Sequence, residues 1–153
     1  MQIICDKDNL MQKIDLLHTQ FDQKMKQIGL RQTKNRRQIF SVLLAETKPI
    51  SASEIIKRVD NSHFVSVYRS VEALQKAGII VLVPRGFKNL YELSDDFRPH
   101  HHHAICEICG KTEEIENDNF EKLLANIYQK YDFSPTRHQF EIFGICQTCQ
   151  KSS

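Results

Sequence analysis

Apolar residues along the first thirty positions recur at three- and four-residue spacing: Leu10, Ile14, Leu17, Phe21, Met25 and Ile28. This predicts an amphipathic helix that Gly29 closes. Thr33 is placed to cap a second helix carrying Ile39, Val42 and Leu43, and Ser51 followed by Glu54 forms a capping box for a third with Ile55, Ile56 and Val59. A fourth helix is predicted over Val65 to Ala77, with Val67, Val71 and Leu74 as its buried stripe and Gly78 as its stop. Ile79 to Val83 and Leu90 to Leu93 then read as two strands joined across 85–89. Helices followed by a hairpin predict a winged helix-turn-helix.

The pattern breaks at Asp95-Asp96-Phe97-Arg98-Pro99 and resumes with a different character. His100 to Ile108, Thr112 to Ile115 and His138 to Ile145 read as strands. Phe120, Leu123, Leu124, Ile127, Tyr128 and Tyr131 between them keep one helical stripe. The expected fold class is therefore α+β. A winged-helix DNA-binding domain over 1–95 leads through a hinge at 96–99 to a small α/β dimerisation domain over 100–153. About fifty residues bury little core, so metal ligation and dimerisation are the expected reinforcements.

Charge separates the same two parts. Residues 1–99 carry 16 Lys/Arg against 11 Asp/Glu, and residues 100–153 carry 5 against 8. Lys26, Arg31, Lys34, Arg36 and Arg37 follow one another without an intervening acid. Such a run is often only a solvated face, but on a winged helix it suits a phosphate backbone. Tyr68 and Arg69 fall near the start of the fourth helix, the expected recognition helix, where Arg can pair with guanine and Tyr can meet phosphate or a thymine methyl. The plain alternatives are a half-buried surface aromatic and a surface ion pair.

The last third concentrates the metal chemistry. Cys106 and Cys109 form one C-x-x-C knuckle and Cys146 and Cys149 a second, and four thiolates close a tetrahedral structural zinc site. Cys5 stands apart and is expected to take no part. His100, His101, His102 and His103 are surplus to that site, and strand alternation sends His100 and His102 to one face and His101 and His103 to the other. A second, exchangeable metal is implied. No export signal and no run of about 18 apolar residues is evident, so a cytoplasmic protein without membrane contact is expected. Absence of H-E-x-x-H, a P-C-x-x-C preceded by H-x-E, a P-loop or G-x-G-x-x-G argues against catalysis and against a small-molecule substrate. A zinc-ribbon interaction module without DNA binding would explain the cysteines but leaves the cationic half without a role.

Gly29-Leu30-Arg31-Gln32-Thr33 with Arg36, Ser66-Val67-Tyr68-Arg69, Tyr91-Glu92-Leu93, the H-x-H-x-x-C-x-x-C-G-K stretch ending at Lys111, and His138 leading into the second C-x-x-C occur in the order found in one family. The chain resembles the ferric uptake regulator family of metal-dependent repressors over most of its length, and most resembles a zinc-uptake regulator. The resemblance implies a homodimer whose metal-loaded form binds a palindromic double-stranded operator. It further implies structural zinc on Cys106, Cys109, Cys146 and Cys149, and a regulatory metal on Glu92, His101 and His103 with Glu114. His100, His102, Glu121 and His138 match a further metal site, and Arg31, Thr33, Arg36, Tyr68 and Arg69 match DNA contacts. Many members supply a regulatory His where this chain has Pro49, which leaves Asp95 or His63 to complete the shell. An all-His run suits tetrahedral zinc better than octahedral Fe2+ or Mn2+. Zinc sensing is expected, with iron, manganese or peroxide sensing as the alternatives.

Overall fold

A computed structural model describes residues 7–60, 63–85, 88–136 and 138–152. Cys5 and the Gly86-Phe87 portion of the expected hairpin connection lie outside them. Two compact units are present, one over 7–84 and 88–98, the other over 99–152 together with Arg85.

In the first unit, α1 (Lys7–Gln27), α2 (Lys34–Leu44), α3 (Ala52–Arg58) and α4 (Phe64–Lys76) accompany a sheet of β1 (Ile50–Ser51), β2 (Ile80–Arg85) and β3 (Lys88–Leu93), ordered β1-β3-β2. Thr33 accepts a hydrogen bond from the Arg36 N–H, and Ser51 and Glu54 complete the reciprocal capping box of α3. Both satisfy N–H groups that a helix start leaves unpaired. Gly29 and Gly78 take the left-handed conformation that ends α1 and α4, with φ of 66° and 68°. The residue after each then donates back to the helix, Leu30 N–H to the Met25 carbonyl and Ile79 N–H to that of Leu74.

Phe40 is the centre of the core, stacked on Phe21 at 4.4 Å and meeting Phe97 edge-on at 5.0 Å. Around it lie Met25, Ile39, Leu43, Ile55, Val67, Val71 and Leu74. The stripe of α1 is buried only near its C-terminal end, at Phe21 and Met25, whereas Leu10 and Ile28 are exposed. Helix α4 begins at Phe64, one residue before the position that its apolar stripe suggests.

The second unit is built on β4 (His102–Cys106), flanked by β5 (Thr112–Ile115) and β6 (Glu141–Gly144). Antiparallel β5 pairs Ile105 with Thr112 and His102 with Ile115, and parallel β6 pairs His103 with Glu141 and Cys106 with Gly144. The connection that returns the chain from β4 to its parallel neighbour β6 passes through β5 and carries α5 (Asp118–Lys130), the length a parallel crossover requires. A five-residue α6 (Gln147–Lys151) follows. Two expected strands are shorter than their sequence patterns: β4 covers 102–106 and not 100–108, and β6 covers 141–144 and not 138–145. In β4 the cause is local, since residues 107–109 turn back toward β5 and leave the ladder.

Candidate metal centre and nucleic-acid interface

The first cysteine knuckle sits at the end of β4, where the chain reverses into β5. Gly110, at φ 71°, donates its N–H to the Cys106 carbonyl at 2.8 Å, and the Cys106 N–H donates to the Lys111 carbonyl at 2.8 Å. Left-handed backbone at Gly110 is what lets a turn of this tightness close. The second knuckle begins at Cys146, the N-cap of α6, which puts Cys149 three residues into that helix. Pairing of β6 beside β4 brings the two together.

All four sulfurs lie within 4.8 Å of one another, and Cys109 Sγ is 3.7 Å from Cys146 Sγ. A tetrahedron of thiolates at about 2.3 Å from zinc has edges of about 3.8 Å, so the donors fit that ion. The electrostatics agree. N–H groups of Cys146 and then Cys109 aimed at Cys106 lower its thiol to about 6, while the neighbouring sulfur of Cys109 and burial push the Cys149 thiol up to about 12. Four sulfurs this close can hold one negative charge readily and a second only at high cost. A divalent cation would remove that cost.

Histidine rings pair by alternation along β4 and the two residues ahead of it. His100 and His102 have ring centroids 4.8 Å apart, and so do His101 and His103. Glu121 on α5 and His138 ahead of β6 join the first pair. Nε2 of His102 lies 2.8 Å from Glu121 Oε1, that of His138 3.3 Å and that of His100 3.4 Å. His100 and His138 bring their Nε2 atoms to 2.9 Å of each other. Three imidazoles and one carboxylate oxygen thus converge on one point. Tetrahedral N and O ligands at about 2.0–2.1 Å from zinc stand roughly 3.3–3.4 Å apart, so slight spreading seats the ion. Desolvation raises the Glu121 carboxyl, but the hydrogen bond with His102 and the fields of His138 and His100 outweigh it and hold the group below its ordinary value. Phe120 and Phe140 stand edge-on to His102 at 5.0 and 5.8 Å and back the ring.

Glu114 on β5 is the cross-strand partner of His103, which places both on one face of the second sheet. Glu92 is on β3 of the first unit, buried, with Arg98 Nη1 3.5 Å from its carboxylate. Sequence patterns do not reveal Arg98 as this counter-ion, because the pairing spans a turn. Pro49 precedes β1, Asp95 is exposed, and His63 is the N-cap of α4 without a side-chain capping bond.

Tyr68 and Arg69 are exposed on α4, and Arg31 and Thr33 at the start of α2. Arg36 is half-buried and donates to the Arg31 carbonyl, which fixes its guanidinium beside the helix start. Arg37 pairs with Asp22 at 2.8 Å, so its charge is partly met within the fold. One contact that sequence reasoning misses joins the two helices: Asn35 Nδ2 donates to Ser66 Oγ at 2.8 Å. Short polar residues far apart in the chain give no periodic signal of such a bridge.

Residues 27–143 match the model of the ferric uptake regulator family. The chain belongs to that family. The ferric uptake regulation protein of Campylobacter jejuni is 32% identical over 88% of this chain and 89% of its own. The peroxide-responsive repressor PerR of Staphylococcus saprophyticus is 29% identical over 80% of this chain and 84% of its own. Among solved structures, the Helicobacter pylori ferric uptake regulator, described as having three functional metal-binding sites, superposes with a TM-score of 0.72 at 27% identity, covering 89% of this chain and 93% of that one. Ferric uptake regulator family proteins are metal-responsive, DNA-binding transcription regulators and not enzymes. The winged helix and the metal-binding α/β unit are the parts of that fold. Among the described residues, no helix is long and apolar enough to cross a membrane.

Proposed function

We propose that this protein is a zinc-responsive repressor that binds a palindromic operator as a metal-loaded homodimer in the cytoplasm and controls zinc-uptake genes. The observation that carries the choice of metal is the convergence of His100, His102 and His138 on Glu121. Three imidazoles and a single carboxylate oxygen form a compact four-donor set, which suits zinc more than six-coordinate oxygen-seeking ions. Cys106, Cys109, Cys146 and Cys149 hold a structural zinc, and the regulatory metal falls to Glu92, His101 and His103 with Glu114. Metal then shifts the population toward the DNA-binding state by the difference in its affinity for the two states.

Dimer formation is supported by the apolar surface of the second unit. Leu123 and Ile127 on α5, Tyr131 at its C-cap and Phe143 on β6 are exposed, an extent of apolar side chain that a second copy would cover. DNA contact is assigned to Tyr68 and Arg69 for bases and to Arg31, Thr33 and Arg36 for phosphates.

A second reading, iron or peroxide sensing, is favoured by the names of the relatives, a ferric uptake regulation protein and a peroxide-responsive repressor. Metal analysis of protein purified without an affinity tag tests the assignment. Two or more zinc ions per chain support it. One zinc with iron or manganese at the remaining sites supports the second reading.

A further inference from the structure

Helix α4 has two faces of unusual character. Val67, Ser70, Val71 and Leu74 are buried against the core. Phe64, Val65 and Tyr68, in the first turns of the helix beside that stripe, are 61%, 44% and 48% exposed. A lone exposed apolar side chain is ordinary, but three neighbouring ones at the start of a helix form an apolar patch open to solvent. Cations gather at the helix starts beside it, and the one acid of α4, Glu72, is paired with Lys76. Neither α2 nor α4 has an acidic residue in its first turn, and His63 gives α4 no side-chain cap. The Asn35–Ser66 hydrogen bond holds the start of α2, with Arg31 and Lys34, beside the start of α4.

An apolar patch framed by positive charge, at the start of a helix that no side chain caps, suits a polyanion that presents an apolar group. In the major groove that group is the thymine C5-methyl. We propose that Phe64 and Val65 are specificity-determining residues that pack on thymine methyls, so that part of the operator code is read by shape and apolar contact. This rests on the assignment of α4 as the recognition helix. Arg69 on the same helix is left to read guanine, and Tyr68 extends the apolar contact to the neighbouring step.

The test uses the metal-loaded full-length protein and an operator selected from random duplexes. Each thymine is replaced in turn by deoxyuridine, which removes the methyl and leaves pairing intact. Wild type should lose about fourfold in affinity at the contacted positions, the worth of one buried methyl-sized group. Phe64→Ser and Val65→Ser should bind the thymine and deoxyuridine duplexes alike, each at its own position, whereas Phe64→Leu keeps the discrimination. All three substitutions lie at exposed positions, so thermal melting should match wild type. Wild-type indifference to deoxyuridine overturns the proposal while leaving the recognition helix in place. Full discrimination by the Ser variants overturns it as well and would mark the patch as a docking surface for protein. Failure to select any duplex overturns both this inference and the DNA-binding assignment beneath it.

Discussion

The backbone N–H of Cys146 donates to Sγ of Cys106 across 3.3 Å, joining two residues forty positions apart. It ties the two cysteine knuckles together and favours thiolate at Cys106, so the four-sulfur cluster and the β4–β6 pairing support each other. Cys109→Ser should therefore lose the tightly held zinc and, with it, the dimer. Structural zinc in small domains is worth roughly 10–16 kcal/mol of apparent binding free energy, far more than a unit with so little buried core can replace. Metal content and sedimentation of the variant measure both effects. A dimeric, stable Cys109→Ser protein would contradict the structural role.

Glu121 is the common partner of His100, His102 and His138. Glu121→Gln keeps the shape but removes the charge, and should weaken zinc at this site by 10-fold or more while the cysteine zinc stays in place. His138→Ala should act in the same direction, and operator binding should fall only moderately in each. Titration with a zinc indicator of known affinity separates the two classes of site. Unchanged stoichiometry and affinity in both variants would remove this cluster from the metal sites.

Base reading and phosphate holding should fail differently. Arg69→Ala is expected to cost about 1–3 kcal/mol and to relax preference at one base pair, whereas Arg36→Ala should weaken all sequences alike and lower the salt slope by about one. Arg37, already paired with Asp22, should matter less than Arg36. Binding measured across salt concentrations and single-base operator variants distinguishes them. Unaltered specificity in Arg69→Ala would refute its role at a base edge.

Much of the first unit was legible because each helix announces itself twice, by apolar spacing and by its ends: Thr33, the Ser51–Glu54 box, Gly29 and Gly78. Alternation along a strand likewise makes the His100–His102 and His101–His103 pairing readable from four letters. Short elements were not readable. β1 has two residues and α6 five, too few for any period to show. Strand limits in the second unit depend on partners, since β6 can pair only where β4 still runs straight, and Gly110 has turned the chain by then. Long-range polar contacts such as Asn35 with Ser66 and the exposure of Leu10 and Ile28 are properties of the packed fold, which spacing alone does not encode.

Ser51 offers a test of the fold itself. Its hydroxyl accepts from the Glu54 N–H, and the Glu54 carboxylate accepts from the Ser51 hydroxyl at 2.6 Å and from the Ser51 N–H at 2.8 Å, two bonds that hold the Glu54 carboxyl below its ordinary value. Ser51→Ala should destabilise the protein by about 1 kcal/mol, read by chemical denaturation, with the zinc content unchanged. No shift in the unfolding midpoint would show that α3 is held by packing alone.

Operator binding measured metal by metal tests the central claim most directly. Protein stripped of exchangeable metal, but retaining its cysteine zinc, is titrated with zinc, iron(II) and manganese(II) against a selected operator, beside His101→Ala and His103→Ala. The account predicts that zinc switches wild type on at the lowest free concentration and that both variants stay off while keeping the cysteine zinc and the dimer. A complete switch requires about 5.5 kcal/mol of preference for the DNA-binding state, so the transition should be near all-or-none. A full switch with iron(II) or manganese(II) and none with zinc would contradict the choice of metal, and operator binding independent of any added metal would contradict the mechanism.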